Sequence, residues 1–396
     1  GPRLLRGVVT GLRDGAGGNR PLKPVAGRLE GEPLPPGLLE FVQWAARYAV
    51  DVPGQPLAIA LRGLRAPKPK PERRLRAAAG VALERPTPAR LKVLEAAAQP
   101  LPGAELARIA GVSAGVVKGL VDLGALDEVW VTPDLTIPPP DLSRPGATLN
   151  PSQAASAETL KGLITEGGFQ AALLDGVTGS GKTEVYLEAA AAALAKSPGA
   201  QVLVLLPEIA LTQQAIARFE ARFGAPPAEW HSGITPHRRR KVWDSVAAGQ
   251  ARIVVGARSA LFLPFKALRL IVVDEEHDSS YKQEDGFIYQ ARDLAVARAK
   301  IEGAAIVLAS ATPSLETLWN AETGRYHWLK LADRHGAAQL PEVSLIDLRE
   351  TPPEPGRWLS PPLVTALIET LQRGEQSFLF LNRRGYAPVV LCRACG

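Results

Sequence analysis

The sequence has no methionine, not even at position 1, and only two cysteines among its 396 residues, Cys392 and Cys395. Two thiols at one end exclude a disulfide framework, which needs several pairs spread along the chain, and they accord with a reducing cytoplasm. No apolar run approaches the ~20 residues that cross a bilayer, and the opening residues lack the basic and then apolar pattern of a signal peptide. The start without methionine and the end at Cys392-Arg-Ala-Cys395-Gly396, within what reads as a motif, predict a piece of a larger protein. What is present is ordinary for a globular protein: 46% hydrophobic and 22% charged residues. Length alone predicts two to four domains.

Charge is unevenly placed. Residues 1–148 carry 20 Lys and Arg against 14 Asp and Glu, which is the entire excess of +6; the remainder is neutral. A basic leading part beside a neutral remainder suggests a polyanionic partner for the former, although a solvated basic face has the same composition.

Proline-rich stretches divide the chain. Residues 1–66 open with a predicted strand at Leu4–Thr10 and continue to an apolar-periodic helix at Leu38–Ala49. The run Pro67-Lys-Pro-Lys-Pro71 begins a stiff linker, taken as 67–85. Residues 86–137 show helices at Ala89–Ala98, Ala104–Ala110 and Ala114–Leu123, the last with Ser113 as N-cap, and then a strand at Gly124–Val131. This reads as a winged helix, a fold whose second helix in the helix-turn-helix reads DNA. Its third helix bears only Lys118, which argues against direct base readout. A second linker at 138–148 precedes strands alternating with helices over 149–348, as a parallel α/β sheet requires. Strands are expected at Ala171–Leu174, Gln201–Leu206, Arg252–Val255, Leu270–Val273 and Ala305–Leu308. A third linker, 349–358, leads to a helix near Leu363–Arg373 and a strand at Ser377–Leu381, the start of another α/β unit over 359–396. No internal repeat is present.

The stretch Gly176-Val177-Thr178-Gly179-Ser180-Gly181-Lys182-Thr183 lies between a predicted strand and a predicted helix, Thr183–Lys196. That context makes it a phosphate-binding loop rather than a chance glycine turn. Its glycines let backbone N–H groups turn inward above the positive end of a helix. Lys182 would reach the β- and γ-phosphates of a nucleoside triphosphate, and Thr183 would place its hydroxyl on Mg²⁺. Some 90 residues on, the apolar strand ending in Asp274-Glu275-Glu276-His277 delivers carboxylates to the sheet edge where open α/β folds bind ligands. Asp274 would hold the Mg²⁺ and Glu275 would deprotonate the attacking water, the minimum set for phosphoanhydride cleavage.

The order Gln153, Gly176–Thr183, Pro207–Thr212, Gly256–Ala260, Asp274–His277 and Ser310-Ala-Thr312-Pro resembles superfamily 2 helicases. The longer stretches Gly176–Tyr186, His231-Ser-Gly233, Arg258–Phe262, Asp274–Gln283, Ser310–Thr317 and Leu381–Pro388 are similar, more narrowly, to the PriA family of bacterial primosomal replication-restart helicases. The likeness is specific over 149–396 and looser over 1–148. It implies a RecA-like, P-loop helicase lobe, preceded by a small β-rich DNA-binding domain and the winged helix, and followed by the start of a second RecA-like lobe.

Further roles rest on that resemblance. Gln153 would recognise adenine. Pro207, Glu208, Arg258 and Ser259 would hold a single DNA strand, and Ser310 and Thr312 with His277 would couple hydrolysis to lobe movement. Tyr281, Phe287 and Tyr289 lie in an aromatic-rich loop where rings could stack on bases, at ~1–3 kcal/mol each, while Lys282 and Arg292 meet phosphates; covering a small core is the alternative for such rings, and the stacking role is favoured. Phe287 and Gln290 stand where the family pattern expects Trp and His. Residues 1–66 would be the latter part of a domain that captures the 3′ end of a DNA strand, with Lys23 at a contact position. Cys392 and Cys395 have the spacing of half a zinc site, so Zn²⁺ is expected in the full-length protein and not in this piece.

The whole implies a cytoplasmic, nucleoid-associated ATP-dependent DNA helicase moving 3′ to 5′. Its partners would be forked and single-stranded DNA, helicase-loading and other primosome proteins, and single-stranded DNA-binding protein, with no membrane. The alternative is a fork-binding scaffold with weak or absent ATPase. It is raised because the γ-phosphate arginines of such enzymes lie in the second lobe, and an arginine finger is worth ~10³–10⁵ in rate.

Overall fold

A computed structural model of the chain describes residues 7–9, 24–28, 32–65, 71–78, 81, 86–131, 137–207, 210–331 and 342–380. Chain contacts divide it into two units, Gly1–Gly336 and Ala337–Gly396.

The first unit opens with three helices, α1 (Pro36–Tyr48), α2 (Gly54–Ala60) and α3 (Arg62–Arg65). Leu38, Phe41, Val42 and Ala45 recur at helical spacing on α1 and are buried. A strand, β1 (Glu72–Ala77), and helices α4 (Pro88–Ala96), α5 (Gly103–Ala110) and α6 (Ala114–Asp122) follow, then β2 (Leu126–Val131). β1 and β2 pair antiparallel, with Leu75 opposite Glu128, and Leu75 and Leu126 close a small core with Val93, Leu106 and Leu120. This small core therefore begins at β1, inside the segment expected to be linker. Glu72-Arg73-Arg74-Leu75-Arg76 carries too much charge to read as a strand until its partner, some 50 residues on, supplies the ladder.

The lobe proper runs α7 (Pro151–Glu166), β3 (Gln170–Gly176), α8 (Lys182–Ala195), β4 (Gln201–Leu205), α9 (Gln213–Phe223), β5 (Ala228–Trp230), α10 (Pro236–Ala247), β6 (Ile253–Gly256) and β7 (Leu268–Asp274). It continues with a two-residue hairpin, β8 (Lys282–Gln283) and β9 (Tyr289–Gln290), then α11 (Ala291–Glu302), β10 (Ala305–Ser310), α12 (Leu315–Glu322) and β11 (His327–Leu331). Seven of these strands form one parallel sheet in the order β11-β3-β10-β7-β4-β6-β5. Its central strands are continuous apolar runs because both faces are covered. On one face Leu174, Val204 and Val272 meet α7, α8 and α9 through Leu160, Leu194 and Phe219. On the other, Leu203, Ile271 and Leu308 meet α10 and α11 through Trp243 and Leu294.

That second core also contains α1 and α2. Phe41 lies 5.3 Å from Phe262, and the wholly buried Arg298 guanidinium sits 5.4 Å from the Phe41 ring and 5.3 Å from Phe265. Arg298 stays charged there by donating to the carbonyls of Leu261 and Leu263 and pairing with Glu302. Among the described residues of 1–66 the regular elements are α1–α3, packed on the lobe; most of the strand expected at Leu4–Thr10 lies outside the described residues. The apolar stripe of α1 needs a large partner, and the lobe provides it.

In the second unit α13 (Pro361–Gln372) forms where the sequence predicts it, with none of its residues buried. Residues 377–380 form no strand among the described residues. A strand needs a ladder partner, and the described part of this unit offers none.

α3 lies against the lobe at Gly63, where an added Cβ would lie 2.3 Å from Cβ and Cγ of Trp243. The indole cannot retreat, since Nε1 donates to the Ala60 carbonyl at 2.8 Å. Gly63→Ala is expected to destabilise the chain by about 1–3 kcal/mol through overpacking, read as a lowered midpoint in thermal unfolding, whereas Gly54→Ala, which meets no atom within 4 Å, leaves it within a degree or two.

Candidate nucleotide site

β3 is buried from Ala171 to Leu174, and the chain leaves its carboxyl end through the loop at 177–181 into α8. Gly181 caps α8 at φ +81°, and a Cβ there would sit 2.3 Å from Gln153 Nε2. Only glycine satisfies both demands. Lys182 is buried at the first turn of α8, with Nζ donating to the Gly176 carbonyl at 2.8 Å. The Ser180 hydroxyl, also buried, has no hydrogen-bond partner. A buried ammonium beside an orphaned hydroxyl, under a helix N-terminus, is a donor set that suits a polyphosphate.

Gln153 anchors this loop to α7. It forms a capping box with Asn150, 2.9 Å in each direction, and its Nε2 donates to the Ser180 carbonyl at 2.8 Å. Its amide is therefore engaged at both ends.

Two strands away in the sheet, β7 ends at Asp274. The Asp274 carboxylate accepts from Tyr186 OH at 3.0 Å and from the Glu275 amide at 3.0 Å. Burial first, then the neighbouring Glu275 carboxylate, pushes its pKa up to about 6, against the opposing pull of the Tyr186 hydrogen bond and Lys182. Glu275 adopts φ +47°, a left-handed conformation uncommon for a residue with a side chain. Tyr281 pins the end of β7 to the end of β4: its hydroxyl lies 2.6 Å from the Asp274 carbonyl and 3.0 Å from that of Leu205.

β10 lies between β3 and β7, pairing Ser310 with Asp175 and Ala309 with Asp274. Ser310 Oγ is 2.7 Å from His277 Nδ1 and accepts from the Thr312 amide at 3.0 Å. His277 Nδ1 lies 3.8 Å from the Glu275 carboxylate. The cleft between the loop after β3 and the end of β7 has a volume of about 730 Å³ and is lined by Gln153, Gly181, Lys182, Thr183, Asp274 and Glu275. Thr178 and Gly179 also border it, and Val177 is exposed on the loop beside it. Arg218 of α9 reaches the same cleft and donates to Thr183 Oγ1 at 3.2 Å. Tyr186 and Arg218 escaped the sequence reading. Tyr186 stands one helical turn beyond Lys182, a spacing that could have flagged it, whereas nothing local marks Arg218.

Beyond β7, the ends of β4 and β6 carry Pro207 and the 3₁₀ turn Arg258–Phe262. Arg258 donates to the carbonyls of Ser280 and Lys282 at 2.6 and 2.8 Å, and Ser259 Oγ accepts from Trp230 Nε1 at 3.2 Å. The expectation of three stacking rings is corrected here. Tyr281, Phe287 and Tyr289 are only 1%, 3% and 6% exposed. Phe287 and Tyr289 stack on each other at 5.3 Å and both meet Phe262 edge-on. Their apolar surface is worth more in this core than in water. Arg292 is likewise turned inward, onto Glu276, Asp293 and Ser314. Lys282 remains exposed, paired loosely with Glu284 at 3.3 Å. Lys23, Glu208, Cys392 and Cys395 lie outside the described residues. Among the described residues there is no group of three or more His, Cys, Asp or Glu poised to hold a metal, and no helix long and apolar enough to cross a membrane.

Residues 150–320 match the family model for the DEAD/DEAH box helicase. The chain is 41% identical over 307 residues to replication restart protein PriA of Bacillus subtilis, covering 75% of this chain and 37% of that protein. It is 33% identical over 406 residues to the PriA of Chlamydia muridarum, covering 98% and 54%, and 48% identical over 224 residues to that of Rickettsia felis, covering 57% and 34%. The chain thus spans from about a third to about half the length of these relatives. Among solved structures, RecG bound to a three-way DNA junction aligns with 50% of this chain and 25% of its own, at 20% identity and a TM-score of 0.38.

The raised Asp274 carboxyl has a measurable consequence. In the unfolded chain an aspartate titrates near 3.9, so between about pH 4 and 6 the folded protein holds a proton that the unfolded one has lost. Stability then falls as pH rises through that window, and the full cost remains above it. Asp274→Asn, which cannot ionise, is expected to be more stable than the parent by about 2 kcal/mol at pH 8 in Mg²⁺-free buffer, with the gain vanishing near pH 4; chemical denaturation at the two pH values checks it.

Proposed function

Since the chain belongs with the PriA-type superfamily 2 helicases, we propose that the intact protein is a replication-restart DNA helicase that hydrolyses ATP to move 3′ to 5′ along single-stranded DNA and unwind forks. The supporting observation is the strand order. β3, β10 and β7 are neighbours, so Lys182, Ser310 and Asp274–Glu275 arrive at one sheet edge, and the ends of β4 and β6 continue that edge on the far side of β7. A nucleotide crevice and a strand-binding edge would then share β7 as a common wall.

In this reading Lys182 meets the β- and γ-phosphates, while backbone N–H groups of residues 177–181 cradle them. Gln153, on the first turn of α7 and bonded to the Ser180 carbonyl, is assigned the recognition of adenine. Thr183 and Asp274 would hold Mg²⁺, which when bound neutralises charge gathering on the phosphates. Glu275, held clear of the strand by its left-handed backbone, orients the attacking water and takes its proton. His277 and Ser310, with Thr312, relay the state of the crevice to β10. Along the adjoining edge, Pro207, Arg258, Ser259 and Lys282 would meet the DNA backbone, a role also assigned to Glu208.

Outside the lobe, we assign the winged helix a DNA-facing role, Lys23 a place beside a DNA end, and Cys392 with Cys395 half of a zinc site. Helicase-loading proteins, other primosome proteins and single-stranded DNA-binding protein are the proposed partners. A scaffold without ATPase is not favoured, because the buried Lys182 and the costly Asp274 serve no evident structural purpose.

Lys182→Ala in the intact protein is the test. DNA-stimulated ATP hydrolysis is expected to fall at least ~100-fold with forked-DNA binding, read by anisotropy, largely kept. Turnover within two-fold of the parent would remove the assigned site.

A further inference from the structure

Tyr186 stands on α8 one turn beyond Lys182, is only 2% exposed, and shares the core of Leu174 and Val272. Phenylalanine would fill the same space, so packing alone does not explain the hydroxyl. Buried polar groups persist where they meet a partner, and this one donates to Asp274 Oδ2 at 3.0 Å. The Glu275 amide donates to Oδ1 at 3.0 Å, so each carboxylate oxygen has one donor. A carboxylate offers about four acceptor positions, which leaves each oxygen a free lone pair.

The same hydroxyl has a second neighbour. Burial and then the Asp274 charge push the phenol's pKa well above its usual range, and the Thr183 side chain, one turn earlier on α8, acts on it in the opposite sense. Tyr186 is thus flanked by Thr183 and Asp274, the two residues assigned to Mg²⁺ above. Arg218 reaches Thr183 Oγ1 from α9 at 3.2 Å, so the outward side of that hydroxyl already faces a cation. The main chain of Asp274 is held separately, through its carbonyl, by the Tyr281 hydroxyl at 2.6 Å. Removing the Tyr186 hydroxyl therefore frees the carboxylate and leaves the strand end in place.

We propose that Tyr186 is a positioning residue for the divalent cation of the nucleotide complex: its hydroxyl fixes the Asp274 carboxylate and adjoins the Thr183 side chain, and so aligns the two groups that would hold the ion. This rests on the nucleotide reading above and deepens it. Tyr186 is buried behind the residues that line the cleft, and it acts through Asp274 without touching phosphate or base. Partners that orient a metal ligand are typically worth ~10–100-fold in metal affinity. The phosphate loop keeps its own donors, Lys182 and the buried Ser180 hydroxyl, whatever stands at 186.

The test uses the intact protein and measures two affinities. One is that of a fluorescent, non-hydrolysable ATP analogue in EDTA. The other is that of Mn²⁺ for the protein–analogue complex, with the analogue limiting, read by electron paramagnetic resonance of the free ion. In Tyr186→Phe the Mn²⁺ dissociation constant is expected to rise at least ~five-fold, with the analogue's constant in EDTA within two-fold of the parent. A purely structural role would weaken the analogue with and without metal alike. That outcome, or a Mn²⁺ constant within two-fold of the parent, overturns the role of Tyr186. Should Tyr186→Phe not fold, 3-fluorotyrosine placed at position 186 decides: its ¹⁹F resonance is expected to move when Mg²⁺ joins the analogue complex, and a resonance that stays in place overturns the role. Lys182→Ala separates the two readings, since analogue binding that survives it unchanged removes the nucleotide site, and this inference with it.

Discussion

The placement of β10 between β3 and β7 is the constraint on which the rest depends. Parallel ladders on both sides of β10 fix Ser310 beside Asp175 and Ala309 beside Asp274. A slip of one residue in either ladder would turn every side chain of that strand to the opposite face. Both faces are buried, so such a slip would bring mismatched side chains into two cores at once. The ladder thereby sets the distance between the phosphate loop and the carboxylates.

Around this fixed geometry the protein collects groups that are expensive to keep. Lys182 and Glu276 are buried charges, Asp274 titrates far above an ordinary aspartate, and Glu275 holds a left-handed backbone. Strained and desolvated groups of this kind concentrate where chemistry is done. The structure manages each one differently. Glu276 is compensated by four donors, Asp274 by Tyr186 and a backbone amide, and Lys182 by a single carbonyl. Lys182 is the least compensated of the three, which accords with the one role that calls for meeting phosphate.

The central strands were legible because each is an apolar run between turn signals, and the phosphate loop because its spacing matters residue by residue. Five expected strands appear where the sequence places them, to within a few residues. Edge strands were not legible. Ala228-Glu-Trp230 is too short to show a pattern, and His327–Leu331 mixes charge with aromatics, since each is held by one ladder only. β1 was hidden by its arginines. The largest misreading concerns Tyr281, Phe287 and Tyr289, whose residue types suit a base-stacking loop and a small core equally well. What decides between them is Phe262 on the loop after β6 and Phe41 on α1, a partner more than 200 residues upstream. No local pattern carries that information. The same holds for Arg292, whose partner Glu276 was visible in the sequence only as a spare acid beside the hydrolytic one.

The central claim is that one crevice, between the loop after β3 and the end of β7, binds a metal-chelated triphosphate. Crystals of the protein grown with Mn²⁺ and a non-hydrolysable ATP analogue, measured for the anomalous signal of manganese, address it directly. The account predicts one strong peak between Thr183 Oγ1 and the Asp274 carboxylate, with the terminal phosphate beside Lys182 Nζ. A peak elsewhere on the sheet, or an analogue bound without approaching Lys182, would contradict it.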